Sequence, residues 1–391
     1  MSELKWSDYD FTKIPFDELV RVGQRTMLYR DMFTVSWLLG RFCNYRCSYC
    51  WPYARSDRKD HRPTQLINAT IDEIKRQARD NNFNSFHFSL SGGEPTFHPG
   101  YLDILRHLAG DVHNTNYTSV HMTSNCSRPM KWFEQYVEIV KPFHRASITS
   151  SLHVEHVNTK EKMQEFADKL ILCQEHDVQI TINMVMVPEW FERDWDNALF
   201  FHEQGINVTL KPQSDPTASK VVDGYTRDML KRLYNGMPQR AYTDTKAVWS
   251  DRPRPQFQIP TEIDKRDDKT VPWNMQIEFK DANGDPWYMD QAERFNAFNF
   301  NKFKGWECSA GYRSIIIREP DGSIKRSYSC ADVPLGNIET GFKLFDTPMP
   351  CISNSCVSSA DSKIPKRAPG TKLPLWPDDK SYDISKSAEQ V

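Results

Sequence analysis

The chain has 391 residues, enough for one elaborated domain or for a large domain and a small one. Its formal charge is −2, with 26% charged and 39% hydrophobic residues, so no global basic field favours nucleic acid or an anionic membrane. No apolar run approaches the ~20 residues of a membrane span. The start, Met1-Ser2-Glu3-Leu4-Lys5-Trp6, lacks a charged-then-apolar secretory pattern, and a cytoplasmic location is the expectation.

Residues 1–32 read as a polar, aromatic-containing lead-in. From Phe33 to Gln213, β-type runs alternate with helical patterns. Strands are expected at 33–40, 85–91, 118–123, 145–152, 178–187 and 206–212. Thr70-Ile71-Asp72-Glu73 has capping-box spacing and is expected to open a helix with Ile71, Ile74 and Ala78 on one face. Met163, Phe166, Leu170 and Cys173 recur at helical spacing, which makes Cys173 a core thiol. Cys126 also reads as a small buried residue. Six such units predict an α/β fold, a partial (β/α)6 TIM-like barrel over 33–213. In parallel β/α folds the chemistry lies just after the strands.

Residues 214–269, rich in Asp, Lys, Pro and Trp, read as an insert or linker. A small domain, partly β, is expected over 270–357, with hairpin turns at Asn283-Gly284 and Asp321-Gly322. Residues 358–391 read as a mobile tail. Trp249, Trp273 and Trp287 suit core packing, with stacking on a ligand as the alternative.

The nine cysteines cluster: three within Cys43–Cys50 and four within Cys308–Cys356. Clustering in a long chain with an odd count points to metal or iron–sulfur ligation, not a disulfide framework. Cys43-Asn44-Tyr45-Arg46-Cys47-Ser48-Tyr49-Cys50 follows the first barrel strand, and one loop with such spacing can wrap one cluster. Three thiolates on a four-iron cubane leave one iron open, as a catalytic site requires. Zinc is the alternative, but no fourth Cys or His lies nearby in sequence. Ser91-Gly92-Gly93-Glu94-Pro95 follows the second strand, its glycines permitting close backbone approach. Thr123-Ser124-Asn125 follows the third strand, Ser151-Leu152-His153 the fourth and Met186-Val187-Pro188 the fifth; Lys211-Pro212-Gln213 ends the sixth.

This set resembles the radical S-adenosylmethionine (SAM) superfamily over about residues 33–213. The resemblance implies a [4Fe–4S] cluster on Cys43, Cys47 and Cys50, with SAM chelating the open iron and cleaved to a 5′-deoxyadenosyl radical. It places Tyr49 against the adenine and Gly92, Gly93 and Glu94 at the SAM amino group. Asn125, Ser151, His153 and Met186 become candidate SAM contacts. Cys126 stands where the family's Thr-Asn-Gly segment has glycine, and His153 where its Ser-Leu-Asp segment has an acid. An electron donor such as flavodoxin or ferredoxin is implied as a partner.

Cys308, Cys330, Cys351 and Cys356 flank an expected hairpin and resemble the Twitch domain, a shorter relative of SPASM. That resemblance implies an auxiliary [4Fe–4S] cluster, with a zinc knuckle as the alternative. The expected reaction is hydrogen abstraction from a small polar metabolite, sugar- or nucleoside-like, leading to oxidation or epimerisation. The short lead-in and the single auxiliary set count against a peptide maturase. A non-catalytic iron–sulfur or zinc protein is the third reading. His153 and His156, near Glu155, are expected to point one into the barrel mouth and one to solvent.

Overall fold

The computed structural model describes residues 11–24, 32–51, 55–216, 221–237, 277–289, 295, 298–318, 321–330, 334–356 and 358–375. Trp249, Trp273 and most of the 214–269 insert lie outside them. The chain opens with β1 (Leu19–Gln24) and β2 (Met32–Leu38), followed by α1 (Thr64–Asp80). Then come β3 (Ser85–Ser91), α2 (Tyr101–Gly110), β4 (Tyr117–Ser124), α3 (Met130–Val140), β5 (Arg145–Leu152) and α4 (Lys160–Glu175). The series ends with β6 (Gln179–Met186), α5 (Phe191–Glu203), β7 (Asn207–Pro212) and α6 (Arg227–Asn235). The C-terminal region adds β8 (Ile277–Asp281), β9 (Pro286–Met289), β10 (Glu307–Cys308), β11 (Ser314–Ile317) and β12 (Ser323–Lys325). It closes with β13 (Pro334–Asn337), β14 (Gly341–Phe342), β15 (Met349–Pro350), α7 (Ser359–Ser362) and β16 (Lys366–Arg367).

Strands β2 to β7 are parallel neighbours in sequence order, flanked by helices, and the sheet does not close: a partial barrel. All six expected strands are present within one or two residues at either end. The alternation along each strand is strict. Val35, Phe88, Val120 and Ala146 form one register row facing the helices, and Trp37, Leu90, Met122, Ile148 and Ile180 form the next. Both rows are buried in the main hydrophobic core with Ile71, Ile74 and Phe133. The opposite face is polar at almost every position. Thr34, His87, Ser119 and Arg145 share one row, and Ser36, Ser89, His121, Ser147 and Gln179 the row above. Thr123, Thr149, Thr181 and Asn207 follow, then Ser151, Asn183 and Thr209. Apart from Ser119, these residues keep solvent contact, so the inner face lines a wet lumen.

Helix α1 begins six residues before the expected opening at Thr70, which lies mid-helix and donates its hydroxyl to Leu66 O at 2.8 Å. A threonine can bond back one turn as readily as it can cap, so the capping-box spacing is satisfied inside the helix instead. The expected apolar face is correct: Ile71, Ile74 and Ala78 are buried, and Ile67 extends it. Cys173 is fully buried on α4.

The C-terminal region does not stand apart. β11 pairs parallel with β2 and carries β12, β13 and β14 with it, extending the barrel sheet. Both expected hairpin turns are present, Gly284 at φ 90° and Gly322 at φ 68°. A second sheet, ordered β15-β10-β16-β1-β8-β9, unites segments from both ends of the chain. β1 comes from the expected lead-in and β16 from the expected mobile tail. Val22 is fully buried in that sheet's own core, and Lys366 Nζ is buried and donates to Ile364 O at 2.9 Å. A two-residue strand leaves no periodicity to read, so residues 358–375 look like a tail in sequence yet are built into the molecule. Trp287 packs against the same core.

Candidate active site

The two loops after β2 and β3 are fitted backbone to backbone. Leu39 N donates to Ser91 O at 2.8 Å, Gly93 N to Gly40 O at 2.9 Å and Glu94 N to Phe42 O at 2.6 Å. A Cβ on Gly92 would lie 2.3 Å from Gly40 O, and one on Gly93 2.3 Å from Arg41 O. Gly92 also has φ +149°. Two glycines are therefore required for the cysteine loop to be held where it is.

Glu94 is buried, 2% exposed. Its Oε1 accepts from Thr96 N at 3.2 Å, Thr96 Oγ1 at 2.6 Å and Ser124 Oγ at 2.8 Å, and its Oε2 from Asn125 N at 2.6 Å. Burial raises the carboxyl's pKa, and the four donors oppose that. The carboxylate thus latches the β3 loop to the end of β4. Asn125 continues the chain of contacts, donating from Nδ2 to Asn44 Oδ1 at 2.9 Å and lying 3.9 Å from Cys43 Sγ. Cys126, in the place of the family's glycine, adopts the left-handed φ of 51° that glycine would adopt.

The turn after β5 clasps the same loop from the other side. Glu155 accepts from Ser48 N at 2.9 Å and from the Ser48 hydroxyl. His156 Nε2 accepts from Arg46 N at 3.2 Å, and its ring stacks on Tyr45 at 4.0 Å and 5°. His153 Nδ1 is 2.9 Å from the Tyr49 hydroxyl. Burial, with help from His156, pushes the His153 imidazole down to about 4, so it is neutral at physiological pH. His156 is thus a partner of the cysteine loop and also keeps solvent contact. Met186 is fully buried in the core. Strand alternation puts its side chain on the helix-facing side of β6, so of the two roles open to it, packing and contact with SAM or substrate, it takes packing. Ser151 lies on the lumen face.

The loop holds three free thiols, Cys47 buried and Cys43 and Cys50 half-buried. Burial raises all three, Cys47 to about 12, and Cys47 also feels the other two thiols. Among the described residues no three His, Cys, Asp or Glu side chains are gathered tightly enough to enclose a single ion. Three free thiols on one short loop are a donor set that suits a thiolate-bound group such as an iron–sulfur cubane.

The second cysteine set is assembled from distant segments. Cys308 sits on β10, beside β15 and β16. Cys351 N donates to Trp306 O at 2.7 Å, Cys356 N to Asn301 O at 2.7 Å and Cys330 N to Ser327 Oγ at 3.2 Å. All four are buried and free. Cys330 and Cys351 share a hydrogen bond that makes the first of the pair to ionise easier to deprotonate than a solitary thiol. Two buried cations, unnoticed in the sequence, frame the set. Arg326 donates to Ala310 O and Pro350 O at 3.0 Å and to Met349 O at 3.2 Å, and its charge lowers Cys330. Lys366 does the same for Cys356, against burial, which raises it. Asp361, also buried, opposes the two cations at Cys330 and Cys356, and four buried thiols in this setting are a donor set that fits a thiolate-bound group.

Residues 37–202 match the family model of the Radical SAM superfamily. Over that segment the chain is similar to radical SAM domains, and it is an enzyme. It is similar to the solved structure of native anSMEcpe with bound AdoMet and Kp18Cys peptide, at TM-score 0.48 and 13% identity, over 80% of this chain and 79% of that one. Native anSMEcpe with bound AdoMet gives TM-score 0.47 and 14% identity over the same shares. No curated protein sequence matches the chain. No described helix is long and apolar enough to cross a membrane.

Proposed function

We propose that Cys43, Cys47 and Cys50 hold the [4Fe–4S] cluster, and that the enzyme abstracts hydrogen from a small polar metabolite bound in the lumen, leading to oxidation or epimerisation. The cluster supplies the electron that cleaves SAM to the 5′-deoxyadenosyl radical. The chain's own residues supply placement. Gly92 and Gly93 let the β3 loop sit against the cysteine loop, and Glu94 and Asn125 fix it from one side. Glu155 and His156 fix it from the other. His153 fixes the hydroxyl of Tyr49, and the Tyr49 ring would lie against the adenine. Cys308, Cys330, Cys351 and Cys356 hold an auxiliary cluster whose charge Arg326 and Lys366 balance. With four protein ligands that cluster would serve structure or electron transfer, with flavodoxin or ferredoxin as the donor class.

The observation that carries the substrate reading is the lumen. Its rows are built from Ser, Thr, Asn, Gln, His and Arg, groups that bond hydroxyls and amides and offer little to an apolar side chain. The test is substrate-dependent 5′-deoxyadenosine formation by the reconstituted enzyme. Deuterated sugars, sugar phosphates and nucleosides are compared with candidate peptides. Deuterium in 5′-deoxyadenosine from one of the small molecules is the expected result; deuterium from a peptide alone overturns it in favour of a maturase.

A further inference from the structure

The chain has no global basic field, yet its charge is not evenly spread. Residues 41–62 hold Arg41, Arg46, Arg55, Arg58, Lys59 and Arg62 against only two acids, Asp57 and Asp60, a local charge of +4 in a chain whose total is −2. The same segment contains the first three cysteines. Its second half folds back along its first. Ser56 N donates to Arg41 O at 2.6 Å and Cys43 N to Ser56 O at 3.3 Å, so Arg55 and Asp57 border the cysteine loop. Arg46 and Arg55 share one carboxylate, Asp57, at 2.6 and 3.6 Å. Lys59 Nζ lies 5.2 Å from the centroid of the Phe42 ring. Arg128, from the turn after β4, lies 5.1 Å from that of Phe97, which is itself 5.7 Å from Phe42. Asn44 Nδ2 donates to Ser127 Oγ at 2.9 Å, which ties that turn to the cysteine loop. Arg46, Arg58 and Lys59 are exposed, and so is Trp51, which follows Cys50.

These cations add little to the stability of the fold. Two exposed arginines on one carboxylate are worth little at a surface, and like charges gathered on one segment repel one another. Rings beneath Lys59 and Arg128 hold the two side chains at the rim with their charge kept. Arginines beside an exposed tryptophan have the composition of a protein interface, and a positive patch steers an acidic partner to itself. SAM cleavage consumes one electron, which must enter at the cysteine loop, and this loop lies within the basic segment. The partner that suits both facts is an acidic protein that carries single electrons. A phosphate backbone suits the rim less well, because Asp57 and Asp60 lie among the cations.

We propose that Arg46, Arg55, Arg58, Lys59 and Arg128 form the docking surface for a small acidic one-electron carrier protein. The reduced carrier gives up one electron to the cluster and leaves oxidised by one electron. The carrier's role rests on the cluster reading above.

The experiment compares the cluster-loaded full chain with the double variant Arg58→Glu, Lys59→Glu, whose sites are both exposed, and with Lys141→Glu. Lys141 is an exposed control that ends α3, near the start of β5 and away from the cysteine loop. One readout is binding of labelled flavodoxin by fluorescence anisotropy at low and high salt. The other is 5′-deoxyadenosine formation driven by reduced flavodoxin or by dithionite, a small reductant that needs no docking surface. Native binding is expected to weaken steeply with salt. The double variant should bind flavodoxin about tenfold more weakly and show a KM for it higher by about the same factor, with the dithionite-driven rate unchanged. Lys141→Glu should behave as the native protein. Flavodoxin affinity and KM unchanged in the double variant overturn the surface, as does preferential binding of a short RNA that the same variant abolishes. Absence of 5′-deoxyadenosine from the native protein with either reductant overturns the cluster reading and the carrier's role with it.

Discussion

The two cysteine sets are built in opposite ways. Cys43, Cys47 and Cys50 fall within eight consecutive residues on a loop that is partly open to solvent. Side chains from two neighbouring loops hold that loop: Asn125 through the Asn44 side chain, and Glu155 and His156 through the backbone N–H groups of Ser48 and Arg46. Cys308, Cys330, Cys351 and Cys356 span 49 residues, all four are buried, and strand pairing and two buried cations gather them. The difference suits the roles proposed for them. A site that admits a substrate keeps an open face and is positioned by contacts around its rim. A site that admits nothing is closed into a core, and its ligands come from wherever the fold brings chain together.

Breaking the second set should have the largest structural effect. Replacing Cys308, Cys330, Cys351 and Cys356 by Ser should remove one cluster's worth of iron and sulfide and lower the thermal midpoint by many degrees. It leaves buried hydroxyls in place of four thiols and deletes the proposed ligands together. Zinc in the native protein at this site, with no iron, would show the knuckle reading to be correct.

Glu94→Gln tests the rim of the first set. The amide places an NH2 donor at one of the two positions, Oε1 or Oε2, that between them now accept four bonds. About 1–3 kcal/mol of stability should be lost, and SAM affinity with it, while Glu94→Asp should recover part of both. A variant with native stability and tenfold weaker SAM binding would instead mark Glu94 as a direct SAM contact.

Lys366→Met removes the cation near Cys356 with little loss of volume. The second cluster should shift its reduction potential downward and lose iron faster to chelator, with the first cluster's SAM cleavage intact. An unchanged potential would detach Lys366 from that role.

The pH dependence should be gentler. The imidazole of His87 is held at about 3 and those of His121 and His153 at about 4, chiefly by burial. Each histidine is neutral in the fold yet takes up a proton near pH 6.5 when unfolded. Stability is therefore complete above that pH and falls as pH drops toward 4, and the urea midpoint should fall with it. His153→Gln should flatten the slope by up to one proton. The smallest effect is expected for Cys126→Gly. It relieves a left-handed backbone but deletes a buried thiol that touches Ser150 Oγ at 3.1 Å, so the two contributions nearly offset.

How far the sequence could be read follows the same division. The barrel strands are legible because each carries a full period-two pattern beside a helical one. The first cysteine set stands out in the sequence because its three thiols are close together in the chain. What was not legible is long-range. β1 and β16 are short, carry little periodicity and acquire meaning only by pairing across more than three hundred residues. Arg326 and Lys366 look like surface charges, and only the fold shows them buried among thiols. Met186 belongs to the right strand end but the wrong face, a distinction that needs the register. The polar lumen was present in the alternation of His87, Ser89 and Ser91 with Phe86, Phe88 and Leu90, yet its depth appears only when the rows are aligned.

The central claim is that the loop Cys43–Cys50 carries the cluster that cleaves SAM. Its most direct test is 5′-deoxyadenosine formation, with iron and sulfide content, in anaerobically reconstituted protein carrying Cys43→Ala, Cys47→Ala and Cys50→Ala together. The account predicts complete loss of 5′-deoxyadenosine and loss of one cluster, with the second cluster retained. Continued 5′-deoxyadenosine formation by the triple variant would contradict it.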